Sequence, residues 1–236
     1  MKTFRATKGP FRERPYFTNQ EIENICTDEL RAAGLYPSMP GAVRIDRFVE
    51  KRFGVAPVYE ELAEGVLGFT KFGPKGVQAI VVARSLDEDG TTSAERRIRT
   101  TVAHEAGHGL LHARLFFEIL EKDSLFGYFS DPAAPKVLCR DVPNTSMGHA
   151  PGYDGRWWEY QANRAIGALL LPQPLVHAAL EPLLAASGSL GMKTLERANR
   201  EKAARLLADT FEVNPVVAKI RLGELFPVGS ESQMRL

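Results

Sequence analysis

The sequence predicts an α+β fold, on three observations. Strand-like runs at Val55–Glu60, Gly65–Phe72 and Val77–Ala83 follow two helical stretches. The Gly73-Pro74-Lys75-Gly76 turn joins the last two runs as a hairpin, so the small sheet is antiparallel or mixed. The final third carries apolar residues at helical spacing and reads as helical throughout.

Taken in order, residues 1–17 carry scattered cations (Lys2, Arg5, Lys8, Arg12 and Arg14) with no periodicity and no apolar core. They read as a flexible basic tail, neither a secretory signal nor a nucleic-acid arm. Ile22, Ile25, Cys26, Leu30 and Ala33 then recur at helical spacing up to Gly34. After Pro37 to Gly41, a second helix carries Val43, Ile45, Phe48 and Val49 and stops near Gly54. Beyond the strands, Thr92 with Glu95 three residues later is a capping-box signature for a further helix. That helix contains Gly107 and Gly109. Each costs roughly 1 kcal/mol against Ala, which suggests that another backbone approaches there. Asp141 to Gly155 is rich in Pro, Gly and Asn and reads as a long loop, either a lid or a surface excursion. A helix follows from Arg156 through Leu169-Leu170-Leu171 to a stop at Pro172.

The expected divisions are the tail at 1–17, a main domain at 18–185 and a helical subdomain at 186–236. In the last, Leu195, Ala198, Ala203, Leu206, Leu207 and Phe211 mark one or two helices. Asn214 is the expected N-cap of the next helix, with Pro215 at its first position. The stretch from Leu207 to Val216 resembles a helix-turn-helix unit. Its second helix offers only Lys219 and Arg221 as cations, too few for a major-groove reader, so direct DNA binding is not expected.

Charge and cysteine content narrow the function. Thirty Lys and Arg oppose 29 Asp and Glu, a formal charge of +1, which gives no electrostatic case for nucleic acid. No run is apolar enough to span a membrane. Two cysteines, Cys26 and Cys139, make no disulfide framework and fit a reducing cytosol. Cys139 reads first as a small buried hydrophobe. Its neighbour Arg140 keeps open a redox role or an inhibitory fourth metal ligand.

The chemistry centres on His104-Glu105-Ala106-Gly107-His108, which reads HExxH. Residues four apart on a helix share a face, so both imidazoles can bind one metal ion. Glu105 then stands where a general base is needed for an attacking water, whose pKa zinc can lower to roughly 7. A site of this type needs a third protein ligand. The continuation HExxHxxGxxH fails, because Leu111 and Arg114 occupy its Gly and His positions. Glu159 is the best candidate, on a helix where Ala162 and Asn163 share its face. Ala162 allows close helix packing, and Asn163 can hydrogen-bond a ligand from behind. His149 and Cys139 are the fallback ligands. For the oxyanion, His149 and Tyr153 from the loop are candidate donors, with His112 a weaker one. His177 reads as an ordinary helix residue.

Three elements together carry a resemblance: Arg97 to His112 with HExxH inside, Glu159-Tyr160-Gln161-Ala162-Asn163, and Leu169-Leu170-Leu171-Pro172. The chain resembles the ImmA/IrrE family of metallopeptidases from about Phe17 to about Phe226. It departs at Thr101 and Val102, where the family often has a larger apolar pair, and in the length of the segment before Glu159. The resemblance implies a gluzincin-like α+β domain over 18–185. It implies zinc held by His104, His108 and Glu159, with Glu105 catalytic. Two His and a carboxylate also admit manganese or iron. It further implies cleavage of a helix-turn-helix repressor, derepressing stress, mobile-element or toxin–antitoxin genes. Two other classes remain open: a metal-binding regulator that binds repressor or DNA without proteolysis, and a non-peptide metallohydrolase. An extended substrate could add as a strand to the sheet edge beside the site.

Overall fold

A computed structural model describes residues 2–5, 13–73, 75–116, 136–141, 157–187 and 192–227, with 136–141, 186, 187 and 192 described by their backbone. The fold is α+β. Strands β1 (Lys2–Arg5) and β2 (Glu13–Tyr16) precede helices α1 (Asn19–Ala32) and α2 (Ile45–Phe53). Strands β3 (Val58–Glu60), β4 (Val66–Gly73) and β5 (Gly76–Ala83) lead through α3 (Arg84–Glu88) into α4 (Thr92–Leu111). Strand β6 (Lys136–Asp141), α5 (Trp157–Leu170) and α6 (Gln173–Leu180) follow. The chain ends with β7 (Leu184–Ser187), β8 (Met192–Leu195), α7 (Arg200–Thr210) and α8 (Pro215–Leu225).

The main sheet has the order β3-β5-β4-β6 and is mixed: β3 runs parallel to β5, and β4 runs antiparallel to both β5 and β6. The hairpin expected around Pro74 closes with Gly73 opposite Gly76. Strand β6 was not foreseen, because Val137-Leu138-Cys139-Arg140 is too short a run to declare itself beside a loop-rich segment.

Local signals set most helix starts. Thr18 caps α1, accepting from the Glu21 amide while the Glu21 carboxylate accepts from the Thr18 amide, a capping box. Helix α4 starts one residue earlier than its sequence signature suggests. Thr91 is the cap and accepts from the Ala94 amide at 3.1 Å, so Glu95 falls outside the box. Asn214 and Pro215 take the expected cap and first-turn positions of α8, but the Asn214 side chain donates to the Ser93 carbonyl instead of capping.

The N-terminal residues differ from the tail expected of them. β1 and β2 pair antiparallel, and Pro15 is buried. Cations spread through a short strand leave no periodicity to read, and tertiary contacts supply the order that the local pattern lacks. Strands β7 and β8 also pair, at the start of a region read as helical. One hydrophobic cluster runs from Ile22 in α1 to Phe226 beyond α8, so the C-terminal helices share a core with α4 and α5. Among the described residues no helix is long and apolar enough to cross a membrane.

Helix α4 is the spine of the molecule. Every residue from Thr100 to Gly109 is buried, with α5 on one side, β4 and β5 on another and α2 on a third. Gly107 serves as the sequence suggested, against the α5 backbone, whereas Gly109 makes room for side chains. A Cβ on Gly107 would stand 2.8 Å from the Ala165 Cβ and 3.2 Å from the Ala162 carbonyl oxygen, both on α5. A Cβ on Gly109 would meet the Phe53 ring at 2.7 Å. Gly107→Ala is therefore expected to destabilise. Overpacking against a rigid neighbour costs about 1–3 kcal/mol and outweighs a helix-propensity gain of about 1 kcal/mol. Gly223→Ala in α8 has nothing within 4 Å of the new carbon and is expected to stabilise by about 0.5–1 kcal/mol. Thermal melts of the two variants should move in opposite directions.

Candidate metal centre

His104 and His108 lie one turn apart on α4, and Glu159 projects from the first turn of α5. The close helix contact at Gly107 and Ala162 brings them together. The two Nε2 atoms are 3.0 Å apart. Glu159 Oε2 is 3.1 Å from His104 Nε2, and its Oε1 is 3.5 Å from His108 Nε2. A tetrahedral site with bonds of roughly 2.0–2.2 Å has ligand–ligand edges of roughly 3.3–3.5 Å. One spacing of this trio, 3.5 Å, falls in that range and the other two, 3.0 and 3.1 Å, fall a few tenths of an ångström short of it; its ligand atoms all lie within 4.8 Å of one another. Two imidazole nitrogens 3.0 Å apart must have either a proton or a metal cation between them. The donor set thus fits a divalent metal, with the mixed N/O chemistry that suits zinc.

Burial by itself would raise the Glu159 pKa, but hydrogen bonds and charge from His104 and His108 outweigh it and hold the carboxyl below its usual range. Both histidines are buried, while Glu159 keeps a small exposed edge.

Each imidazole is held from behind. His104 Nδ1 is 3.1 Å from Asn163 Oδ1, the partner expected from sequence. An amide oxygen only accepts, so Nδ1 carries the proton and Nε2 presents its lone pair. His108 Nδ1 meets His112 Nδ1 at 3.0 Å, and His112 Nε2 meets Gln161 Oε1 at 2.9 Å. Gln161 Nε2 in turn donates to the Pro15 carbonyl at 2.8 Å. Burial pushes the His112 pKa down to about 3, and neighbouring His108 adds to the effect, so His112 is neutral.

Glu105, next to the first histidine, turns toward the sheet. It is fully buried, and the Thr70 hydroxyl on β4 donates to its Oε2 at 2.7 Å. The same hydroxyl lies 3.1 Å from the Glu105 main-chain oxygen, so Thr70 addresses both ends of one residue. A carboxylate held in this way has a defined orientation before substrate arrives.

The structure therefore gathers His104, His108 and Glu159, with Asn163 behind them. It puts His112 in the supporting layer. His149 and Tyr153 lie outside the described residues, and so does the Cys139 side chain, whose backbone is part of β6. Cys26 is buried in the core, and burial pushes its thiol pKa up, which makes it unreactive. His177 packs its ring against Phe226, 5.1 Å between centroids, as an ordinary helix residue would. Sequence reasoning missed Gln161, Thr70 and Pro15. Gln161 stands two residues from Glu159, roughly 200° around the helix, so no shared-face rule pairs it with the site. Thr70 looks like any β-branched strand residue. Set against protein-family models, curated proteins and solved structures, the chain finds no match.

Proposed function

We propose that the chain is a metal-dependent endopeptidase of the gluzincin type. Zinc is the metal that best suits the donors, with manganese or iron as substitutes. The observation that carries this reading is the His104–His108–Glu159 trio, its ligand atoms within 4.8 Å of one another and both histidines buried, with Glu105 next to its first member in sequence. A metal held there supplies Lewis acidity and lowers the pKa of water to roughly 7. Glu105 takes a proton from the attacking water as its oxygen bonds to the peptide carbonyl carbon. Glu105 then returns that proton to the amide nitrogen as the C–N bond breaks. Thr70 keeps the carboxylate aimed throughout, and Asn163 and His112 keep the two imidazoles facing inward.

The resemblance to the ImmA/IrrE family supplies the substrate: a cytosolic helix-turn-helix repressor, cut to release its genes. The second helix of the helix-turn-helix-like pair supports a docking role over DNA reading. Arg221 is buried in an ion pair with Glu23, Lys219 pairs with Glu201, and Val216 and Ile220 are exposed. The test is cleavage of a helix-turn-helix repressor encoded beside the gene. Zinc-loaded protein should give two fragments, a chelator should stop the reaction and added zinc should restore it. A repressor bound but left intact would favour a regulator that works without proteolysis.

A further inference from the structure

The hydrogen-bonded chain behind His108 has one consistent direction, and it is fixed far from the site. The Pro15 carbonyl can only accept, so the Gln161 group 2.8 Å away must be its NH2. The Gln161 oxygen is then the acceptor facing His112, so His112 Nε2 carries a proton. His112 is fully buried with an amide and an imidazole as its hydrogen-bond partners, an environment that holds a neutral ring with one N–H, so its Nδ1 is an acceptor and draws the proton of His108 onto Nδ1. That leaves His108 Nε2 with its lone pair toward His104 and Glu159. Reversing the chain would set two acceptor oxygens, those of Gln161 and Pro15, about 2.8 Å apart without a proton between them.

We propose that Gln161 and His112 are positioning residues: anchored on the Pro15 carbonyl, they hold His108 in the one tautomer whose Nε2 can ligate a metal. The inference rests on the metal-centre reading and extends it to strand β2, whose docking onto α5 sets the direction of the whole chain. Gln161 and Pro15 are 146 positions apart in sequence, and the His112 ring is fully buried, 5.6 Å between centroids from the Trp157 ring.

The test uses the full chain and two readouts that do not depend on catalysis. The first is the 15N NMR tautomer state of His112 and His108 in wild type, with and without zinc. His112 should carry its proton on Nε2, and His108 on Nδ1. A proton on His112 Nδ1 in wild type would overturn the proposal, whether or not zinc binds. The second is zinc affinity by chelator competition. Gln161→Leu should weaken binding about 10–100-fold, the range for losing an outer partner of a ligand. Gln161→Glu sets a second acceptor oxygen against the Pro15 carbonyl, loses the anchor and should weaken binding as well. Equal affinities for wild type and Gln161→Leu would refute the relay while leaving the metal centre intact. Absence of zinc binding by wild type would refute the metal centre, and the tautomer measurement would still decide the relay.

Discussion

Glu105→Gln is expected to bind zinc at the wild-type level and to lose repressor cleavage by about 10²–10⁴-fold, the usual contribution of a positioned general base. The fold should tolerate the change. Glutamine has nearly the same shape, and its carbonyl oxygen can still accept from the Thr70 hydroxyl, as Glu105 Oε2 does at 2.7 Å. What is lost is a group that can take a proton and give it back. Metal content and cleavage rate should therefore separate in this one variant. A Glu105→Gln protein that cleaves as fast as wild type would remove Glu105 from the mechanism.

Glu23→Ala is expected to be among the most destabilising single changes outside the site. Arg221 is 4% exposed and is surrounded by acceptors. Its Nη2 lies 2.7 and 2.6 Å from the two Glu23 oxygens, its Nε donates to the Leu171 carbonyl at 3.0 Å, and its Nη1 reaches Glu224 at 3.2 Å. Glu23 also accepts from the Gln173 amide at 2.7 Å, so α1, α6 and α8 meet at one carboxylate. Removing Glu23 leaves Arg221 with the 3.2 Å contact to Glu224 as its remaining carboxylate and takes the acceptor from the Gln173 amide, so the cost approaches the roughly 3–5 kcal/mol of breaking a buried pair. For a chain of this size each kcal/mol lowers Tm by roughly 2–4 °C. The double change Glu23→Leu with Arg221→Met should recover much of the loss, because apolar replacement of a buried pair is often close to neutral. A Glu23→Ala melt within a degree of wild type would show that the pair is solvated in solution.

What the sequence made legible follows from periodicity. HExxH needs only the four-residue repeat of a helix, and Glu159 and Asn163 need only the same repeat on a second one. Gly107 signalled a close helix contact because glycine weakens a helix interior, and Ala162 is small enough to allow that contact. The core residues Ile22, Cys26 and Leu30 followed from the same spacing. Local pattern is silent on partners far apart in the chain. Arg221 reads as one of two surface cations until Glu23, 198 positions away, is seen against it. The pairing of β1 with β2 and the strand at Lys136–Asp141 depend on the neighbours that each run meets. From Thr100 to Gly109 helix α4 is covered all round, because sheet and helices close over it from several sides, which the spacing of HExxH alone does not show.

The most direct test of the metal centre is elemental analysis of wild type, His108→Ala and Glu159→Ala, purified without chelators and supplied with zinc. The expected result is about one zinc per chain in wild type and loss of it from both variants, since a three-ligand site cannot spare one. Zinc retained by Glu159→Ala would contradict the assignment of the third ligand, and a wild type that takes up none would contradict the metal centre itself.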